Sequence, residues 1–323
     1  MKKTVIISIC VLLSLTRGIA QVTPEVLIKQ CPDLPSVAVL AASYWNDEAA
    51  RKTTDAFVTK IDALIVSVKN EIRLKQEAID AAGEVDANRI ALQMTGHSAA
   101  ELENMSEEEE ETFAQEMLAS VGLGNLKVSD FEEKSEAEIL AAILSNTSSI
   151  ANSPQVKKQQ AQAPDTKGRA EMFIEAQAAI AEVQAITDHW HELTLLNNKE
   201  VSEATDKIAQ IWENYQQQID AVPQSDRSGE TGAMHTPAEW SKVESLMKSR
   251  ISECYTIVRA QITKELGSIK AMFADVKRYE EAMAKSLAAQ GMTESAKITT
   301  PMGLELAERY LRTALSVTNL PGY

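Results

Sequence analysis

The residues of this chain whose types and spacing could do chemistry gather at Asp188-His189-Trp190-His191-Glu192. On a helix, Asp188, His191 and Glu192 stand at i, i+3 and i+4 and share one face. A carboxylate three residues before a histidine is half of the ligand set of a di-iron bundle site. A full set needs a second such pair and two more carboxylates. No second Asp-x-x-His or Glu-x-x-His occurs, because His97 follows Met94 and His235 follows Gly232 at that spacing. His189 and His191 point to nearly opposite sides of a helix and cannot chelate together. Asp188, His191 and Glu192 are therefore weak metal candidates. The expectation is a solvated face beside a packed Trp190, with no metal and no cofactor.

Other chemistry is thinner still. Glu107 to Glu111 is a run of five acids, but it follows Ser106 at a helix start, where the helix dipole and a capping box both favour carboxylates. Calcium loops space oxygen ligands around a Gly turn, and that pattern is absent. There is no Gly-x-Ser-x-Gly elbow. The one Gly-x-Gly, Gly122-Leu123-Gly124, lacks the third glycine of a dinucleotide fingerprint. No catalytic residue is assigned, and the expectation is a protein that is not an enzyme.

The N-terminus gives the compartment. Lys2 and Lys3 precede an apolar stretch from Thr4 to Leu15, and Gly18-Ile19-Ala20 sets small residues where a signal peptidase cuts. Residues 1–20 read as a signal peptide cleaved after Ala20. The protein is then exported, to the periplasm or outside the cell. No Cys lies where a lipid anchor would need it, and no later stretch has the length and apolarity of a membrane span. Of 323 residues, 32 are Lys or Arg and 47 are Asp or Glu, for a net charge of −15. Loss of Lys2, Lys3 and Arg17 with the signal takes it to −18. Such a charge argues against nucleic acid and anionic lipid as partners. Two cysteines remain, Cys31 and Cys254, and an even pair in an oxidising compartment suggests one disulfide between them.

The elements that would position these residues are helical. Gly (12) and Pro (9) are scarce, and aromatic residues make only 5%. Thr23-Pro24 opens a short turn that stops at Cys31-Pro32. Phe57, Ile61, Leu64, Val68 and Ile72 share a face and place a long helix from about Val37 to Ala82, ended by Gly83. Short helices follow, signalled by Ser98/Glu101, Ser106/Glu109 and Ser135/Glu138, each a capping box. A linker-like stretch with Pro154 and Pro164 closes the insertion.

From Phe173 a heptad phase runs without a slip. One row is Phe173, Ile180, Thr187, Thr194, Val201, Ile208, Tyr215 and Val222; the other is Ala176, Val183, Trp190, Asn197, Ala204, Ile211 and Gln218. An unbroken phase predicts one helix from about Gly168 to Val222, through Asn197-Asn198, with Asn197 as a polar core residue. Thr236-Pro237-Ala238-Glu239 starts the next helix. Its row reads Trp240, Val243, Met247, Ile251, Cys254, Val258, Ile262, Leu266, Ile269, Phe273 and Val276, with a period nearer 3.6 than 3.5.

The expected fold is all-α: an elongated antiparallel bundle of long helices, with a coiled-coil-like hairpin and short appended helices. The expected divisions are 1–20, signal peptide; 21–82, turn and long helix; 83–167, short helices and linker; 168–290, hairpin; and 291–323, C-terminal helix. Long bundles have wide surfaces and few concave sites. The functional expectation is an exported, non-enzymatic scaffold or adaptor that binds a protein partner, another copy of itself, or both. No small-molecule substrate is indicated. A membrane-active helical pore former and a metal-dependent bundle enzyme are the alternatives.

Overall fold

The computed structural model describes residues 23–95, 97–98, 101, 104–120, 166–227 and 232–320. The signal-peptide reading, Gly122, the Ser135/Glu138 box and most of the linker lie outside these residues. The protein is an all-α helical bundle, and its long helices pack against one another. The helices are α1 (Pro24–Gln30), α2 (Val37–Tyr44), α3 (Glu48–Thr95), α4 (Glu107–Ser120), α5 (Thr166–Asp220), α6 (Pro237–Ala289) and α7 (Met302–Leu315), with 3-10 turns at Ser295–Lys297 and Ser316–Thr318. No strand occurs among the described residues; the hairpin loop carries a single antiparallel bridge, Asp226 to Met234.

Local sequence sets the helix starts. Thr23 caps α1 and Ser36 caps α2, each accepting a backbone N–H three residues on. The boxes Ser98/Glu101, Ser106/Glu109 and Thr236/Glu239 are all closed by reciprocal bonds. The helix expected over Val37–Ala82 is instead two helices. Asn46 takes a left-handed backbone (φ 60°), a conformation Asn tolerates better than most residues. Asp47 then restarts the chain, accepting the Ala50 N–H at 2.9 Å. At the far end, Gly83 does not stop α3, which runs on to Thr95. An interior glycine costs only about 1 kcal/mol in a helix, and Ala, Glu and Asp flank it.

The chain divides into two compact units. The first comprises Met1–Glu77, Val183–Glu280 and Thr300–Tyr323. Within it, bonds pair Gln216 with Arg250, Tyr215 with Glu253, Glu200 with Lys264 and Asn197 with Ser268, and Trp190 meets Tyr279. One number rises as the other falls, so α5 and α6 are antiparallel. α7 also opposes α6: Thr313 bonds Glu265, and Lys270 lies over the Tyr310 ring. α1 seats on α7, where a Cβ on Gly303 would meet Pro24 Cγ at 3.0 Å and Val276 at 3.2 Å. Phe57, Ile61, Ile65 and Val68 of α3, Ile251, Ile262 and Ile269 of α6, and Leu304, Leu311 and Val317 near the C-terminus form the main core.

α5 is one helix through Asn197, which is buried. Its row through Val183, Trp190, Asn197 and Ile211 faces inward. The companion row is corrected. Ile180 and Val201 are exposed, and Thr187 with them; Ala179, Ile186 and Leu193 take the inner positions instead. The inner sequence 179, 183, 186, 190, 193, 197 lies on the opposite flank of the first row until the helix turns Ile208 inward. A helix with 3.6 residues per turn drifts about 20° per heptad, so a straight α5 cannot hold a strict seven-residue repeat along its length. On α6 every residue of the expected row is at least partly buried except Trp240, which stands against His235 at 5.2 Å.

The second unit comprises Ala78–Glu182 and Glu281–Thr299. Its buried side chains, among the described residues, are Ala82, Ala179, Ala282, Asp86, Ser286 and Ser295. Asp86 of α3 accepts the backbone N–H groups of Glu294 (3.1 Å) and Ser295 (2.8 Å) and pairs with Arg89 at 2.8 Å. Arg89 also donates to the Gly291 carbonyl. Gly291 holds φ 84°, which allows the chain to leave α6 and turn there.

The expected disulfide is not formed: Cys31 and Cys254 are both free. Cys31 lies within the electrostatic reach of Lys270 and Lys60, whereas Cys254 neighbours Arg250 and Trp212. Cys254 and Lys270 are four and a half turns apart on α6, about 24 Å. A disulfide needs its Cα atoms within about 7 Å. Parity and compartment could not supply that proximity.

Candidate functional site

An open, largely apolar groove of the first unit lies where α5, α6 and the segment after α7 converge. Its volume is about 320 Å³. Val201 and Ile208 of α5, Val258 and Ile262 of α6, and Leu320 give it apolar walls; Thr205, Gln261 and Glu265 supply polar groups. Sequence explains the hollow. Ala204 and Thr205 are small where α5 passes α6, so the two helices leave space. After the Ser316–Thr318 turn, Asn319 adopts an extended backbone (φ −95°, ψ 114°) and carries Leu320 to the rim.

The polar groups are spaced for hydrogen bonding. Gln261 and Glu265 are one turn apart on α6, at neighbouring positions of one face. Glu265 Oε1 accepts from Thr313 Oγ1 at 3.2 Å. The Gln261 amide nitrogen is buried with no acceptor in reach, a state that costs about 1–3 kcal/mol for a neutral donor. Ala204 and Gln261 also border a second, smaller hollow of about 100 Å³, whose rim carries Glu200, Glu203, Lys207 and Lys264. Glu200 and Lys264 pair there at 3.1 Å.

The α5–α6 seam holds further polar residues. Asn197 accepts from Ser268 Oγ at 3.0 Å, while its amide nitrogen is buried and unpartnered. Arg250 is only 6% exposed, lies 3.9 Å over the Trp212 ring and donates to Gln216 at 3.3 Å. Among the described residues no carboxylate lies within ion-pair distance of it. Cation–π contact and one neutral hydrogen bond take the place of a counter-ion. Arg250 and Gln261 carry no sequence motif. Their spacing against Val243, Met247, Cys254, Val258 and Ile262 is the signal that places them beside the inner row of α6.

The residues singled out for chemistry stand apart from this groove. Asp188, His191 and Glu192 are all exposed on α5, and Asp188 accepts from Gln184 Nε2 at 2.8 Å. Trp190 between them is 9% exposed and lies 5.2 Å from the Tyr279 ring. Among the described residues, no three His, Cys, Asp or Glu side chains gather so as to hold a metal ion. Burial pushes the Cys31 thiol up to about 11, against the opposing pull of Lys270 and Lys60, and the Cys254 thiol likewise up to about 11. Both are thus protonated and poor nucleophiles near neutral pH. Burial would raise the Asp86 carboxyl, but the Ser295 N–H, Arg89 and the Glu294 N–H outweigh it and hold Asp86 well below the carboxylate range. Asp86 is therefore an acceptor fixed in place, with no proton to exchange near neutral pH.

No helix among the described residues is long and apolar enough to cross a membrane. No family model matches the chain, and no curated protein or solved structure matches it.

Proposed function

We propose that this protein is an exported, non-enzymatic helical scaffold or adaptor that binds a protein partner in the bacterial envelope or outside the cell. The observation that carries the reading is the groove bounded by Val201, Ile208, Val258, Ile262 and Leu320, apolar on its walls and open to solvent. An open apolar groove between helices suits a partner's side chains, whereas small ligands favour sites that bury most of their surface. Excess negative charge favours a partner with neutral or basic character at the contact.

The test is site-specific photo-cross-linking in the native organism, with the reactive group at Val201 or Leu320, followed by affinity capture and mass spectrometry. A reproducible envelope protein is expected from the groove positions and not from Asp188. Val201 is 42% exposed, so Val201→Asp should leave the fold intact and abolish that cross-link. Capture of no specific protein from either position would remove the proposal.

A further inference from the structure

The groove between α5, α6 and Leu320 holds one charge without a counter-charge. Glu265 is half-buried on its wall and accepts from Thr313 Oγ1 through one oxygen, Oε1. The other side chains that line the groove are neutral. The cations close to Glu265 along the chain and on α7 are engaged elsewhere. Lys264 pairs with Glu200 at the second hollow, Lys270 lies over the Tyr310 ring, and Arg312 and Lys69 both turn to Glu308. A carboxylate partly withdrawn from water and left without a cation is a costly group, and a partner that supplies the cation relieves it. The groove also has a direction. The pairings Asn197–Ser268 and Gln216–Arg250 set Val201 level with Glu265, and Ile208 level with Val258. Seven residues of α6 separate those levels, about 10 Å. Tyr255 donates to the Thr318 carbonyl at 3.5 Å, which puts Leu320 at the Val258 end. One end of the groove is thus charged and the other apolar, two helical turns apart.

We infer that the groove receives one face of an amphipathic helix from a protein partner. A lysine or arginine of that helix meets Glu265, and an aliphatic side chain seven residues away seats among Ile208, Val258 and Leu320. This rests on the scaffold reading above and names the chemistry of its partner. The other recurring modes of peptide recognition do not suit the walls. A strand needs a free backbone edge, and helices offer none. The extended backbone at Asn319 follows directly on a 3-10 turn, and its N–H is bonded to Ser316. A polyproline segment needs aromatic walls and a phosphorylated segment needs arginines, and the lining has neither. A helix fits, because residues seven apart return to one face about 10 Å along the axis. That is the spacing between the charged and the apolar end.

Methyl NMR titration of the full chain tests the inference. The probe is an Ala-Gln helical peptide of about twenty residues, long enough to hold a helix, with leucine and lysine seven residues apart on one face. Saturable shifts of the Val201, Val258 and Ile262 methyls are expected. Replacing the peptide's lysine by glutamate should weaken binding about tenfold or more, as loss of a charged hydrogen bond does. Glu265→Gln keeps an acceptor for Thr313 and removes the charge, so the lysine and glutamate peptides should then bind within about threefold of each other. Damage to the fold would not produce that convergence. A peptide of the same composition broken by a central proline should not bind. Absence of saturable binding overturns the inference, as does equal binding of the lysine and glutamate peptides to the parent chain. Undiminished binding of the proline-broken peptide overturns the helix. Octylamine binding as tightly as the lysine peptide assigns the groove to a small amphiphile and overturns it too. The scaffold reading fails separately, by photo-cross-linking. Capture from Val201 or Leu320 without peptide binding sinks the helix alone, and peptide binding without capture sinks the envelope partner alone.

Discussion

The two compact units are built from different materials. The first buries Phe57, Ile61, Ile251, Ile269 and Leu311, large side chains in a continuous apolar cluster. Among its described residues, the second buries alanines, serines and one aspartate. Hydrophobic stabilisation scales with the apolar area removed from water, so the first unit is held by packing. The described residues of the second have little such area, and directed bonds, above all those of Asp86, join them. The difference teaches where the molecule can open. A unit fixed by a few hydrogen bonds yields locally at a lower free energy than one fixed by a core.

The strongest way to test that contrast is to damage the core. Ile269 is fully buried, and Ile269→Ala should destabilise the first unit by about 2–5 kcal/mol, read as a lower midpoint in urea or heat. A loss below about 1 kcal/mol would mean that the core does not hold this unit. Next comes Asp86→Ala. It should accelerate hydrogen exchange at Glu294 and Ser295 by at least about tenfold, because their acceptor is gone, while the midpoint of the first unit stays put. A fall of that midpoint instead would deny that the staple acts locally.

The smallest effect is one of pH. The Ser225 hydroxyl and the Thr236 and Ser225 amides, against the weaker opposing effect of desolvation, pull Glu239 down to about 2. A carboxyl depressed in the folded chain gives stability that is present above its unfolded value of about 4.5 and lost as pH falls through about 2. The loop carrying Ser225 should therefore loosen in that window, seen as exchange broadening of its amides, and Glu239→Gln should remove the transition. A loop equally ordered from pH 5 to pH 2 would contradict it.

Much of the frame was legible, because helix periodicity and caps are local. The inner row of α6, the boxes at Ser98, Ser106 and Thr236, and the buried Asn197 all follow from spacing. The failures share a cause: each depended on something distant or on geometry that residue type does not fix. Asn46 broke a helix because one residue adopted a left-handed backbone. Gly83 did not, since its flanks carry the helix on. The companion row of α5 was lost to the drift between 3.5 and 3.6. Cys31 and Cys254 agreed in every respect except distance. Asp86 was invisible, because an aspartate in a helix announces nothing about a turn some two hundred residues later. The groove was equally hidden: it needs α5, α6 and the segment after α7 in one place.

The seating of α1 on α7 has a consequence for the order of events. Pro24 rests against Gly303, so one of the first described helices finds its place on the last. The first unit draws on three separated stretches of chain, and its core includes Leu304, Leu311 and Val317. As the polypeptide emerges from a ribosome, α1 must wait, without its final surface, for the residue 279 positions after Pro24. The seat of α1 and the core of the first unit are thus completed only when the last helix arrives.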